Sequence, residues 1–167
     1  MKIDGKQMRT IWVESDGASA GIIDQTALPH RFAAVRLASL DDAARAIRTM
    51  QVRGAPLIGA TAAYGVWLAM RADASDEALE NAYAALIATR PTAINLKWAL
   101  EEMLAAVRNQ PRNERANAAL RRARSCARSS SIGLIRPLFS KYSASSRWCP
   151  PVVPQMQRWS SFLYSDT

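Results

Sequence analysis

Fifteen consecutive residues, 56–70, carry no charge, and this run limits the chain more than any other feature. Leu57, Ile58, Ala60, Ala63, Val66, Trp67 and Met70 spread around all sides of a 3.6-residue period, so a helix built from them has no polar face to turn to water. It is stable only if other elements enclose it. The run is also shorter than the ~20 apolar residues a bilayer crossing requires, so the enclosing medium is protein and no membrane partner is expected.

The flanking sequence supplies candidates for that enclosure. Ser39 followed by Asp42 resembles a helix capping signal, with Leu40, Ala43, Ala44, Ile47 and Met50 on one face. Ser75 with Asp76 and Glu77 starts another helix, whose stripe is Leu79, Ala82, Tyr83 and Leu86. A further helix is expected over residues 92–107, burying Leu96, Ala99, Leu100, Met103 and Val107 and turning Lys97, Glu101 and Glu102 outward. Asn113 is a candidate cap for a last helix, whose pattern decays past Leu120. Ahead of these lie β-prone residues 9–13, 20–23 and 32–37, the first two separated by Asp16-Gly17, a hairpin signal. The expectation is an α+β fold: a mainly helical N-terminal domain with a small antiparallel β-sheet.

A chain of 167 residues suits one domain, or one and a small piece. Two cysteines and one histidine make neither a disulfide framework nor a Cys/His metal cluster, so no metal and no cofactor are expected. The N-terminal residues show no apolar stretch behind their positive charge, and a cytoplasmic setting is the default.

The net charge of +8 is unevenly spread. Through Arg115 the chain is nearly neutral, whereas after it stand eight basic residues and one acid, Asp166, with eleven of the fifteen serines and both cysteines, Cys126 and Cys149. Three explanations compete for this region: a disordered basic arm for nucleic acid, an ordinary solvated surface, and translation in the wrong reading frame beginning at about residues 115–122. Its aromatic residues follow no sustained period, and its excess of Arg, Ser, Pro, Cys and Trp favours the third, so nucleic acid is not the expected partner. The expected organisation is a domain over 1–118 and a basic, Ser/Arg/Pro-rich, disordered tail over 119–167.

Two loops have the makings of an anion site. In Val52-Arg53-Gly54-Ala55-Pro56 the proline suits the first turn of the buried helix, expected to start there, and Gly54 lets the backbone approach a ligand. The helix N-terminus offers N–H groups and partial positive charge, and Arg53 adds a guanidinium. Thr89-Arg90-Pro91-Thr92 repeats the arrangement, with Pro91 extending Arg90 and Thr92 a candidate cap. Surface arginines beside ordinary caps would have the same spacing.

Val52-Arg53-Gly54-Ala55-Pro56-Leu57-Ile58-Gly59-Ala60-Thr61 and Thr89-Arg90-Pro91-Thr92-Ala93-Ile94-Asn95-Leu96-Lys97-Trp98, with Asp24-Gln25-Thr26-Ala27-Leu28-Pro29 ahead of them, resemble the N-terminal signatures of the methylthioribose-1-phosphate isomerases, in order and at fitting spacing. The resemblance covers about residues 1–118. It implies an aldose–ketose isomerase, formally an intramolecular oxidoreductase, that converts 5-methylthioribose 1-phosphate to 5-methylthioribulose 1-phosphate in methionine salvage. It also implies a homodimer, and a fold shared with regulatory subunits of the exchange factor for translation initiation factor two. Carried over residue by residue, Arg53, Gly54, Ala55 and Arg90 contact the sugar phosphate. The family's catalytic Cys, in a Thr-His-Cys-Asn-like segment, and its catalytic Asp belong to a Rossmann-like C-terminal domain with no counterpart here. Neither Cys126, Cys149 nor Asp166 has a matching context, and no catalytic residue is assigned. The expectation is a truncated family member, inactive as written. The alternatives are a non-catalytic module binding a sugar phosphate or nucleotide, and a nucleic-acid binder acting through the tail.

Overall fold

A computed structural model describes residues 9–131, together with two short paired strands, β1 (Lys2–Ile3) and β2 (Lys6–Gln7). The main sheet has three antiparallel strands in the order β3 (Ile11–Val13), β4 (Ala20–Ile23), β5 (Ala34–Leu37). Ile11 pairs with Ile22, and Ile22 with Val35. The expected Asp-Gly turn joins β3 to β4. Gly17 sits at φ +62, and the Asp16 carboxylate accepts the backbone N–H groups of Ala18 and Ser19. β3 and β5 are shorter than the β-prone stretches that contain them, and β4 coincides with residues 20–23.

Five helices follow: α1 (Leu40–Arg48), α2 (Ala55–Ala72), α3 (Asp76–Ile87), α4 (Ile94–Val107) and α5 (Arg112–Ser131). α2 contains the uncharged run, and it is enclosed as its sequence requires: it packs against α1, α3, α4 and α5, and fourteen of its eighteen residues are buried. Burying side chains on all sides of one helix removes apolar area from water at about 25 cal/mol per Å², which makes α2 the organising element of the core. Ser39 caps α1 in a full capping box with Asp42, and Ser75 caps α3. The five core positions expected on α4 are the five that are buried. Met50 departs from its expected place on α1. It lies beyond the C-terminus of α1 at φ +59 and is 43% exposed, because the chain has already turned toward α2.

The C-terminal boundary needs correction. α5 runs unbroken across residue 118 to Ser131, and Ala119, Ala123 and Cys126 pack into the core at a helical spacing of four and three. Residues 119–131 are therefore a structural helix rather than part of a disordered tail. Past Leu120 the apolar pattern continues in small residues, whose weak hydrophobicity hides them among arginines. Asn113 lies inside α5 and not at its cap. Arg115, early in the same helix, is buried: its guanidinium donates to the carbonyls of Ala74 (2.9 Å) and Gln110 (3.0 Å) and pairs with Asp76 at 2.8 Å. Arg122 pairs with Glu102 of α4. The remainder of the expected tail, including Cys149 and Asp166, lies outside the described residues.

Candidate functional site

Gly59 brings the Arg53 and Arg90 loops to one end of the helical layer. It stands one turn into α2, and a Cβ built on it would lie 2.8 Å from the carbonyl oxygen of Asn95 and 3.3 Å from the Cβ of Ala99. Asn95 is the second residue of α4, so the N-terminal turns of α2 and α4 lie side by side. Arg53-Gly54 leads into one and Arg90-Pro91 into the other.

The local geometry differs slightly from the sequence expectation. α2 starts at Ala55 with Gly54 as its N-cap, at φ +86, and Pro56 is the second helical residue rather than the first. An L side chain at residue 54 would be strained, although no atom lies within 4 Å of where its Cβ would stand. α4 starts at Ile94, two residues after the expected cap Thr92, and its N-cap is Ala93, whose N–H donates to the Arg90 carbonyl at 3.0 Å. Neither α2 nor α4 receives a side-chain cap, in contrast to α1 and α3. Helix N-termini carry N–H groups in need of acceptors, and an anion supplies them. Arg53, Gly54 and Ala55 are exposed and Arg90 is half-buried.

Asp24 and Gln25 hold the first loop in place, a role that spacing alone does not reveal. The Gln25 side-chain oxygen accepts the Arg53 backbone N–H at 2.8 Å, while the Gln25 N–H donates to the Gln51 carbonyl at 2.9 Å. Gln51 in turn donates from Nε2 to Asp24 Oδ2 at 3.2 Å. The Asp24 carboxylate also accepts the Thr26 hydroxyl (2.6 Å) and backbone N–H (2.9 Å). The Thr26 hydroxyl, with further help from the Thr26 N–H and Gln51, holds the Asp24 carboxyl below its ordinary value against an opposing desolvation. An acid kept ionised by three donors is an anchor and a poor proton acceptor. Cys126 is equally removed from catalysis: it is buried in α5, and that burial pushes its thiol up, away from the reactive thiolate.

Comparison with known proteins places relatives beside this fold. Residues 51–133 match the family model described as the initiation factor 2 subunit family. Over those residues the chain is similar to that family. It is 64% identical over 123 residues to a methylthioribose-1-phosphate isomerase of Paramagnetospirillum magneticum, an alignment spanning 74% of this chain and 34% of the relative. Among solved structures, the 5-methylthioribose 1-phosphate isomerase of Pyrococcus horikoshii superposes with a TM-score of 0.67 at 34% identity, over 74% of this chain and 37% of that one. The delta subunit of translation initiation factor eIF-2B from A. fulgidus gives the same TM-score at 33% identity, over the same shares of the two chains. The chain thus spans about one third of the curated isomerase it matches. The family match reaches residue 133, past the expected frame change at 115–122, which agrees with α5 continuing as structure to Ser131.

Proposed function

We propose that this chain carries the phosphate-gripping half of an aldose–ketose isomerase site for 5-methylthioribose 1-phosphate. The observation that carries the proposal is the contact of Gly59 with Asn95, which sets two uncapped helix N-termini, each led by an arginine, beside one another. In this reading the phosphate accepts N–H groups from the first turn of α2, Gly54 keeps that approach open, and Arg53 and Arg90 neutralise the dianion from two sides. The high identity to named isomerases over the same loops supports the substrate class.

Moving a hydrogen between C1 and C2 also requires a positioned acid/base pair. The ionised carboxylate that braces the loop, Asp24, is committed to Thr26 and Gln51, and Cys126 is sequestered in the core. In this reading Arg53, Gly54, Ala55 and Arg90 bind and orient a sugar phosphate, and orientation alone moves no proton. The proposal therefore includes binding without turnover by the 167-residue chain.

Phosphorus NMR of the purified, mass-verified chain with 5-methylthioribose 1-phosphate tests both parts. The expected spectrum shows a saturable shift of the substrate resonance and no product resonance. Conversion would refute the absence of turnover, and an unshifted substrate resonance would refute the site. A second reading, a ligand-sensing module without chemistry, rests on the equal superposition of the eIF-2B delta subunit. It is favoured if a nucleoside monophosphate binds at these loops more tightly than the pentose phosphate. Pairing of two copies, which sedimentation of the same sample measures, and a cytoplasmic setting in methionine salvage complete the proposal.

A further inference from the structure

A concavity of about 480 Å³ opens between β3, the middle of α2 and the C-terminal half of α5. Its walls include Ile11 and Trp12 from β3, Tyr64 from α2, and three arginines: Arg9, Arg124 and Arg128. Arg124 and Arg128 are four residues apart on α5 and so share one face. Among the described residues none of these three arginines forms an ion pair, whereas Arg36, Arg45, Arg108, Arg115 and Arg122 each have a carboxylate partner. Burial pushes the Tyr64 phenol up, and the nearby charges of Arg124, Arg9 and Arg128 all pull against that push.

Three guanidiniums around one hollow repel one another and focus positive potential into it. A phosphate relieves the repulsion and suits the donor forks of arginine. Ile11 and Trp12 add an apolar wall beside the charges, and the Trp12 indole is fixed by donating from Nε1 to Glu14 at 3.0 Å. The volume is within the range of roughly 300–1,000 Å³ common for small-molecule sites. Tyr64 lies nine residues beyond Ala55, about 14 Å farther along the axis of α2, so this hollow is separate from the anion loops.

We propose that this hollow binds a small phosphate ester, its phosphate held by Arg9, Arg124 and Arg128 and a planar apolar portion lying along Ile11 and Trp12. The site stands whether or not the loops at Arg53 and Arg90 bind substrate.

Calorimetric titration of the full chain with phenyl phosphate and with inorganic phosphate tests it. Phenyl phosphate is expected to bind saturably and more tightly than inorganic phosphate. Its affinity is expected to fall by about tenfold in Arg124→Gln and again in Arg128→Gln, the scale of one charge-assisted hydrogen bond each. Trp12→Ala should reduce the preference for phenyl phosphate over inorganic phosphate. Arg53→Gln should leave phenyl phosphate binding in place. Both α5 arginines are exposed, so the variants are expected to keep the parent melting temperature. No saturable binding, unchanged affinity in both α5 variants, equal affinity for the two probes, or loss of binding in Arg53→Gln instead would each overturn the proposal.

Discussion

Gly59 and Asn95 meet so closely that a single methyl at residue 59 would stand 2.8 Å from the Asn95 carbonyl oxygen. The atom in the way is backbone, in the first turn of α4, and it has little room to retreat. Gly59→Ala is therefore expected to destabilise the domain by about 1–3 kcal/mol through overpacking, exceeding the ~1 kcal/mol that alanine gains over glycine in a helix. Gly65 is the internal control. There the nearest atoms are the Ala43 Cβ at 3.0 Å and the Leu86 methyls at 3.2 Å, and the leucine can adjust. Urea denaturation should rank Gly65→Ala as clearly the milder change, and the reverse order would contradict the packing argument.

Gln25 is expected to matter for binding more than for folding. Gln25→Ala removes the acceptor of the Arg53 N–H, a single partly exposed hydrogen bond worth about 0.5–1.5 kcal/mol. The loop that aims Arg53 loses its brace, so sugar-phosphate affinity should drop further than stability does. Paired titration and melting experiments on the variant read the two effects separately.

Acid should act through Asp24 with a definite sign. Its carboxyl is held below the ordinary value of 3.8, first by the Thr26 hydroxyl. A depressed folded-state pKa contributes stability that is complete above the unfolded value and is lost as pH falls through the folded one. Stability followed from pH 6 downward should therefore fall only below about pH 4, and Asp24→Asn should fall less steeply there. Asp16, Asp42 and Asp73 are depressed as well and add to the slope in the same direction, so the variant flattens the curve without abolishing it.

Arg115 is expected to be the most costly arginine of α5 to remove. Its loss leaves the carbonyls of Ala74 and Gln110 without their donor and detaches the start of α5 from the start of α3. Arg115→Ala should cost roughly 1–3 kcal/mol, from the lost packing of a buried side chain together with its part-buried hydrogen bonds. The exposed Arg121→Ala should change stability by less than about 0.5 kcal/mol. Thermal melts of the two variants decide the point.

The parts of the fold that sequence made legible are those where one residue type has one physical use. An uncharged helix has to be enclosed, serines ahead of acidic turns have to cap, and α2, Ser39 and Ser75 behave accordingly. α5 was obscured because its core face is Ala119, Ala123 and Cys126, small residues that score weakly beside Arg121, Arg122 and Arg124. Arg122, in the basic stretch that resembles a tail, is paired to Glu102 of α4. At the site, Arg53 and Arg90 are named by their motifs, but the contact that sets their loops together depends on Gly59, one small residue in a run of small residues. Spacing along a chain does not tell which glycine touches another helix.

The central claim is that the loops of Arg53 and Arg90 form one anion site, and a double-mutant cycle tests it most directly. Affinity for 5-methylthioribose 1-phosphate would be measured by calorimetry for the parent chain, Arg53→Gln, Arg90→Gln and the double variant. The account predicts saturable binding that weakens by about tenfold or more in each single variant, with non-additive losses because both guanidiniums hold one phosphate. Strictly additive small losses, or an affinity indifferent to either arginine, would contradict it.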